Sequence, residues 1–233
     1  MNRRQIKQHL VELLLERDLA RIGEAILQFP ETAAVNALFS CLCDPRETVR
    51  WHAVSAFGFL LPGIASRDME AARTIMRRFL WMLNDESGGI GWGVPEAMAE
   101  TMVSCPQLAG EYLHMLVSYT LDDGPKLFQH GNFVELERLQ EGVLWGLCRT
   151  APNYRSRLLE LGLSENLGIY FQAGSAAVRG LACRLCGLLA LVRYRDELQA
   201  LLSEQVHVRF YHDGVFMDTT VSAMAETALA ELE

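Results

Sequence analysis

The chain has 233 residues, half of them hydrophobic, and sets 21 Lys and Arg against 29 Asp and Glu for a formal net charge of −8. That balance argues against a general nucleic-acid role, because phosphate binding leans on a surplus of cationic side chains. Apolar runs such as 187–192 are far too short to span a membrane, and the start mixes polar and apolar residues where a signal peptide needs an uninterrupted apolar stretch. The expectation is a soluble cytoplasmic protein whose six cysteines, Cys41, Cys43, Cys105, Cys148, Cys183 and Cys186, are reduced.

Helical periodicity dominates in chain order. Ile6, Leu10, Leu13 and Leu14 make an apolar stripe at i, i+4, i+7 and i+8, and this helix, within 1–17, reads as an N-terminal cap. Leu19, Ile22, Ile26 and Leu27 repeat the pattern until Pro30 breaks it. A third helix runs from Thr32 to Cys43. Asp44-Pro45 then reads as an N-cap followed by proline at the first helical position, opening a helix that ends near Leu61-Pro62-Gly63. The pattern resumes at 68–83 and 94–103, and Pro106 starts a helix to about Leu121 that the turn Asp122-Asp123-Gly124-Pro125 closes. Further helices fall at about 134–150, 154–161, 165–172, 175–192, 196–202 and 219–232. Val206–Met217 departs from this rule: β-branched and aromatic residues flank Asp213-Gly214, the signature of a β-hairpin. Phe128-Gln129-His130-Gly131-Asn132-Phe133 is a shorter echo, and both segments read Phe-x-His, then glycine, then phenylalanine.

Beneath these elements lies a degenerate repeat of about 43 residues. Val49-Arg50 … Ala53 … Gly58 and Val178-Arg179 … Ala182 … Gly187 both read V-R-x-x-A-x-x-x-x-G, 129 residues apart, which is three periods. The matching first positions are Val49, Ile90, Phe133, Val178 and Val221, and four residues later come Ala53, Val94, Glu137, Ala182 and Ala225. Alanine at three of these five suits helices that approach closely; Glu137 makes the third copy the poorest. A helical repeat at this period predicts an all-α stacked array. The units are 18–63, 64–105, 106–151, 152–193 and 194–233 in a single domain.

The stretch Asp44-Pro45 … Val49-Arg50 … Ala53 … Gly58, with its second copy around Val178-Arg179, resembles HEAT repeats, especially the short bacterial kind also found in phycobilisome lyases. The resemblance covers the chain from about residue 18 onward. It implies a HEAT-like α-solenoid of about five helix pairs with one or two β-hairpin insertions. It also implies hydrogen-bonded ladders at Asp44, Arg50, Asp85 and Arg179, interrupted in the second copy, where Gly91 replaces the arginine.

No catalytic signature accompanies the repeat, and neither a cofactor nor a metal is expected. Gly88, Gly89, Gly91 and Gly93 surround Ile90 and Trp92 before a helix, without the lysine and spacing of a phosphate loop. This loop is either a tight inter-helix turn or a binding turn with Ser87, Trp92 and Glu96 as contacts. Cys183-x-x-Cys186 and Cys41-x-Cys43 invite a zinc reading, but Cys183 and Cys186 fall inside an apolar helix, where cysteine packs as a small hydrophobe. His130 and His212 occupy matching loop positions and join the candidate contacts, while His52 reads as a packing or surface residue. The function that fits best is a non-catalytic protein- or peptide-binding scaffold that uses the concave face of the array; a basic or neutral partner segment suits the acidic balance. A small-molecule or chromophore-handling protein, as in lyases on similar repeats, is the runner-up. A nucleic-acid enzyme ranks below it.

Overall fold

In the computed structural model, residues 3–84, 91–122 and 131–233 are described. The chain groups into two compact units, Met1–Tyr112 and Leu113–Glu233. The first contains α1 (Arg3–Leu13), α2 (Leu19–Ile26), α3 (Glu31–Cys41), α4 (Glu47–Arg67), α5 (Met69–Asn84) and α6 (Val94–Ser104). The next helix, α7 (Pro106–Ser118), runs through the boundary. The second unit contains α8 (Glu137–Glu160), α9 (Ala176–Leu189), α10 (Arg195–Ala200), strands β1 (His207–His212) and β2 (Val215–Thr220), and α11 (Val221–Glu231), with short 3₁₀ turns between α8 and α10.

Local chemistry explains several helix ends. Asp18 caps α2 by accepting from the Ala20 and Arg21 amides at 3.0 and 3.2 Å. Ser175 and Thr220 cap α9 and α11 through the Val178 and Ala223 amides. Ala190 ends α9 in the left-handed region at φ 48°.

Five expectations are corrected. The helix expected at Asp44-Pro45 begins at Glu47, because the Asp44 carboxylate accepts from the amide and side chain of Arg46 and holds 44–46 as a turn. That helix also continues through Pro62 to Arg67. Burial of Ile64 and Ala65 beyond the proline offsets a penalty of about 3 kcal/mol. The third repeat copy starts later than expected: Phe133 precedes the helix, whose first residue is Glu137. Between 163 and 172 the backbone forms 3₁₀ turns, not an α-helix. The break expected between Thr150 and Tyr154 is a kink within α8, where Pro152 is followed by Tyr154 at φ −131° and ψ 24°.

In the first unit α4 is the central helix, packing on α2, α3, α5 and α6. Phe39, Phe57 and Phe79 from α3, α4 and α5 form an aromatic triangle with centroids 4.9–5.1 Å apart. In the second, α9 is central and packs on α8, α11 and β1. The expected hairpin is present and antiparallel, with His212 opposite Val215 and a two-residue turn at Asp213 (φ 44°) and Gly214 (φ 89°). Both positive φ values are what a primed turn requires. Residues 128–130 of the echo lie outside the described residues.

Candidate functional site

Each position of the repeat motif has a physical task. Val49, Val178, Ala53 and Ala182 are fully buried. A Cβ on Gly58 would stand 3.0 Å from Ser104 Oγ and 3.3 Å from the Glu100 carbonyl on α6. A Cβ on Gly187 would stand 2.9 Å from Ala228 Cα on α11. The two glycines therefore lie where neighbouring helices approach closely. The arginines reach backwards. Arg50 Nη1 donates to the Asp44 carbonyl at 3.2 Å, and Arg179 Nη1 donates to the Ala173 carbonyl. Arg179 also holds the Glu204 carboxylate, with Nε 3.1 Å from both oxygens. The Asp44 carboxylate is engaged by Arg46 at 2.8 Å, a hydrogen bond that lowers its pKa. Asp85 lies outside the described residues.

In the glycine-rich turn, Gly93 sits at φ 71° directly before α6. A Cβ on Gly91 would meet Leu83 and the Met82 carbonyl at 3.0 Å. Both glycines thus serve the passage from α5 into α6. Trp92 and Glu96 are half-buried here, in the first unit. Ser87 lies outside the described residues, as does His130. His212 lies in the second unit, half-buried at the hairpin tip, with Nε2 3.6 Å from Asp213.

The hairpin builds two depressions in the second unit. A cleft of about 260 Å³ runs between β2, α9 and α11, with Met217, Met224 and Phe210 on its walls and Arg184, Asp218 and Glu231 among its charged groups. A smaller cavity, about 50 Å³, lies under the hairpin tip; Arg149 and Pro152 of α8, Leu181 and Arg184 of α9 and His212 of β1 line it. The tip is fixed to α8 twice: Trp145 Nε1 donates to the Tyr211 carbonyl at 2.6 Å, and Arg149 Nη1 lies 3.2 Å from Asp213. Sequence reasoning did not find Arg149 or Arg184. The available signal was Arg184 itself, a charge between Cys183 and Leu185 in an apolar helix.

The cysteines of the CxxC pair are fully buried, and desolvation pushes both thiols up to about 12. Cys148 is likewise raised to about 12. Such groups are neutral packing thiols. Among the described residues, no group of three or more His, Cys, Asp or Glu is placed to hold a metal ion, and no helix is long and apolar enough to cross a membrane. His52 is buried and its Nδ1 is 2.8 Å from the Leu14 carbonyl, tying α4 to the segment after α1.

No family model and no curated protein matches the chain. Solved structures do. An engineered protein aligns over 100% of this chain and 99% of its own at 16% identity, with a TM-score of 0.56. A designed armadillo repeat protein in complex with the peptide (KR)4 aligns over 97% and 98% at 17% identity, with a TM-score of 0.53. Computationally designed armadillo repeat proteins for modular peptide recognition align over 97% and 99% at 16% identity, with a TM-score of 0.51. At these identities the likeness concerns fold alone. It places the chain among all-α helical-repeat, armadillo-like architectures, as the 43-residue period predicts.

Proposed function

We propose that the chain is a non-catalytic interaction module that holds an extended, basic segment of a protein partner. One observation carries the reading. Nearly the whole chain takes the fold of designed repeat proteins, one of which is in complex with (KR)4, on a chain whose own net charge is −8. An acidic repeat surface attracts a cationic chain and speeds encounter, with an attraction that salt screens. Trp92 and Glu96 in the first unit and His212 in the second are the proposed contacts, and Ser87 and His130 belong to the same proposal. Trp92 supports it by offering a partly exposed indole four residues before the half-buried Glu96, residue types that suit a Lys or Arg side chain. The module is proposed to work in the cytoplasm, in keeping with six free thiols.

The test is fluorescence anisotropy of a labelled peptide of alternating Lys and Arg with the full chain. Trp92→Ala/Glu96→Gln, checked for fold by circular dichroism, is expected to weaken binding about tenfold, as removal of an interface anchor does. Wild-type affinity in that variant and in His212→Ala would remove these residues from the reading.

The cleft of about 260 Å³ beside the hairpin favours a second reading, in which the chain handles a small apolar ligand, as the lyase-like resemblance implies. Visible absorbance that copurifies with the protein and survives dialysis would support it.

A further inference from the structure

We propose that the cavity under the hairpin tip binds a small oxyanion, a carboxylate or a phosphate, through Arg149, Arg184 and His212. These side chains come from α8, α9 and β1 and converge on one space of about 50 Å³. Among the described residues no carboxylate lines that space, although acidic residues outnumber basic ones in the chain, 29 to 21. The nearby acid, Asp213, sits in the turn, 3.2 Å from Arg149 and 3.6 Å from His212, and is largely exposed.

Arg184 is the central group. Its guanidinium carbon stands over the Phe210 ring, 5.3 Å from the centroid, and among the described residues it has no ion pair with a carboxylate. An aromatic ring attracts a guanidinium without neutralising its charge, so Arg184 keeps the charge and donors that an anion needs. Arg179, on the same helix, shows the contrast: its fork is filled by Glu204. A part-buried cation beside apolar walls has lost hydration, and the carboxylates of the neighbouring cleft, Asp218 and Glu231, form no ion pair with Arg184 among the described residues. Trp145, Phe210 and Leu181 supply those walls, and the lower local dielectric strengthens an arriving charge-assisted hydrogen bond. The volume accommodates a few waters, at about 10–15 Å³ each, and so a single planar or tetrahedral anion rather than a larger molecule. The hairpin completes the site, because β1 ends at His212, which lines the cavity together with Arg149 and Pro152 of α8.

Equilibrium dialysis of the full chain with radiolabelled phosphate, and separately with labelled acetate, tests this at constant ionic strength set by chloride. One saturable site per chain is expected for at least one of them, and which one binds distinguishes a phosphoryl from a carboxyl ligand. R184Q and R149Q are each expected to weaken binding about tenfold or more, the loss of one charge-assisted hydrogen bond, while Met224→Leu in the neighbouring cleft leaves it unchanged. If R184Q fails to fold, Arg184→Lys carries the same test, with weakened binding expected because an ammonium cannot reproduce the fork. No saturable binding of either anion, or equal binding by wild type and a folded Arg184 variant, overturns the site. Peptide binding by the module is measured separately and can fail without affecting this result.

Discussion

Arg50 and Arg179 make the same contact in different units: each guanidinium donates to the carbonyl six residues before it, Asp44 in one case and Ala173 in the other. The repeat arginine thus secures the chain entering its own helix. Arg179 does more, because its fork also holds Glu204 just before the hairpin, with side chains only 15% and 22% exposed.

That difference sets an order of stabilities. Arg50→Ala loses one hydrogen bond to a carbonyl and is expected to cost about 1 kcal/mol. Arg179→Ala also strands a part-buried carboxylate and is expected to cost about 2–4 kcal/mol. Urea unfolding of both variants checks this; equal costs would mean that the Glu204 pair adds nothing.

The two glycines of α9 separate tight packing from adaptable packing. A Cβ at Gly180 would meet the Met224 sulfur at 2.7 Å, and a thioether can move aside. One at Gly187 would meet Ala228 Cα at 2.9 Å, and backbone cannot yield cheaply. Gly187→Ala should therefore destabilise by about 2–3 kcal/mol and Gly180→Ala by about 1 kcal/mol or less. Thermal melts that rank them the other way would contradict the helix approach described here.

Much of this fold is legible in the sequence because its signals are local. The valine, alanine and glycine of V-R-x-x-A-x-x-x-x-G report burial and close approach, and Asp213-Gly214 reports a turn that needs two positive φ values. Reading failed where tertiary packing overrode a local rule. Pro62 should stop α4, yet buried Ile64 and Ala65 carry it onward. Phe133 fits the period, but the helix waits until Glu137, whose carboxylate accepts from the Ser175 amide at 3.1 Å. The cavity under the hairpin had one linear signal, the charge of Arg184 inside an apolar helix; its grouping with Arg149 and His212 had none, because α8, α9 and β1 meet only in the folded chain.

Burial of Cys148 makes stability depend on alkaline pH. Its folded pKa is raised from 9.0 to about 12 by desolvation. The stabilisation is whole below pH 9 and declines between pH 9 and 12, where the unfolded chain ionises and the folded one does not. The slope is about 1.4 kcal/mol per pH unit for one such thiol. Cys148→Ala, compared with wild type by urea unfolding from pH 7.5 to 10.5, should therefore show a shallower alkaline decline by about that amount. Parallel profiles would place the thiol in a more polar setting than the structure gives it.

The most direct test of the interaction reading is the affinity of the full chain for a labelled peptide of alternating Lys and Arg, set against its Asp and Glu counterpart, from 50 to 500 mM salt. The account predicts saturable binding of the basic peptide that weakens steadily as salt rises, and none of the acidic one. Equal affinity for both peptides, or no binding of the basic one at low salt, would contradict it.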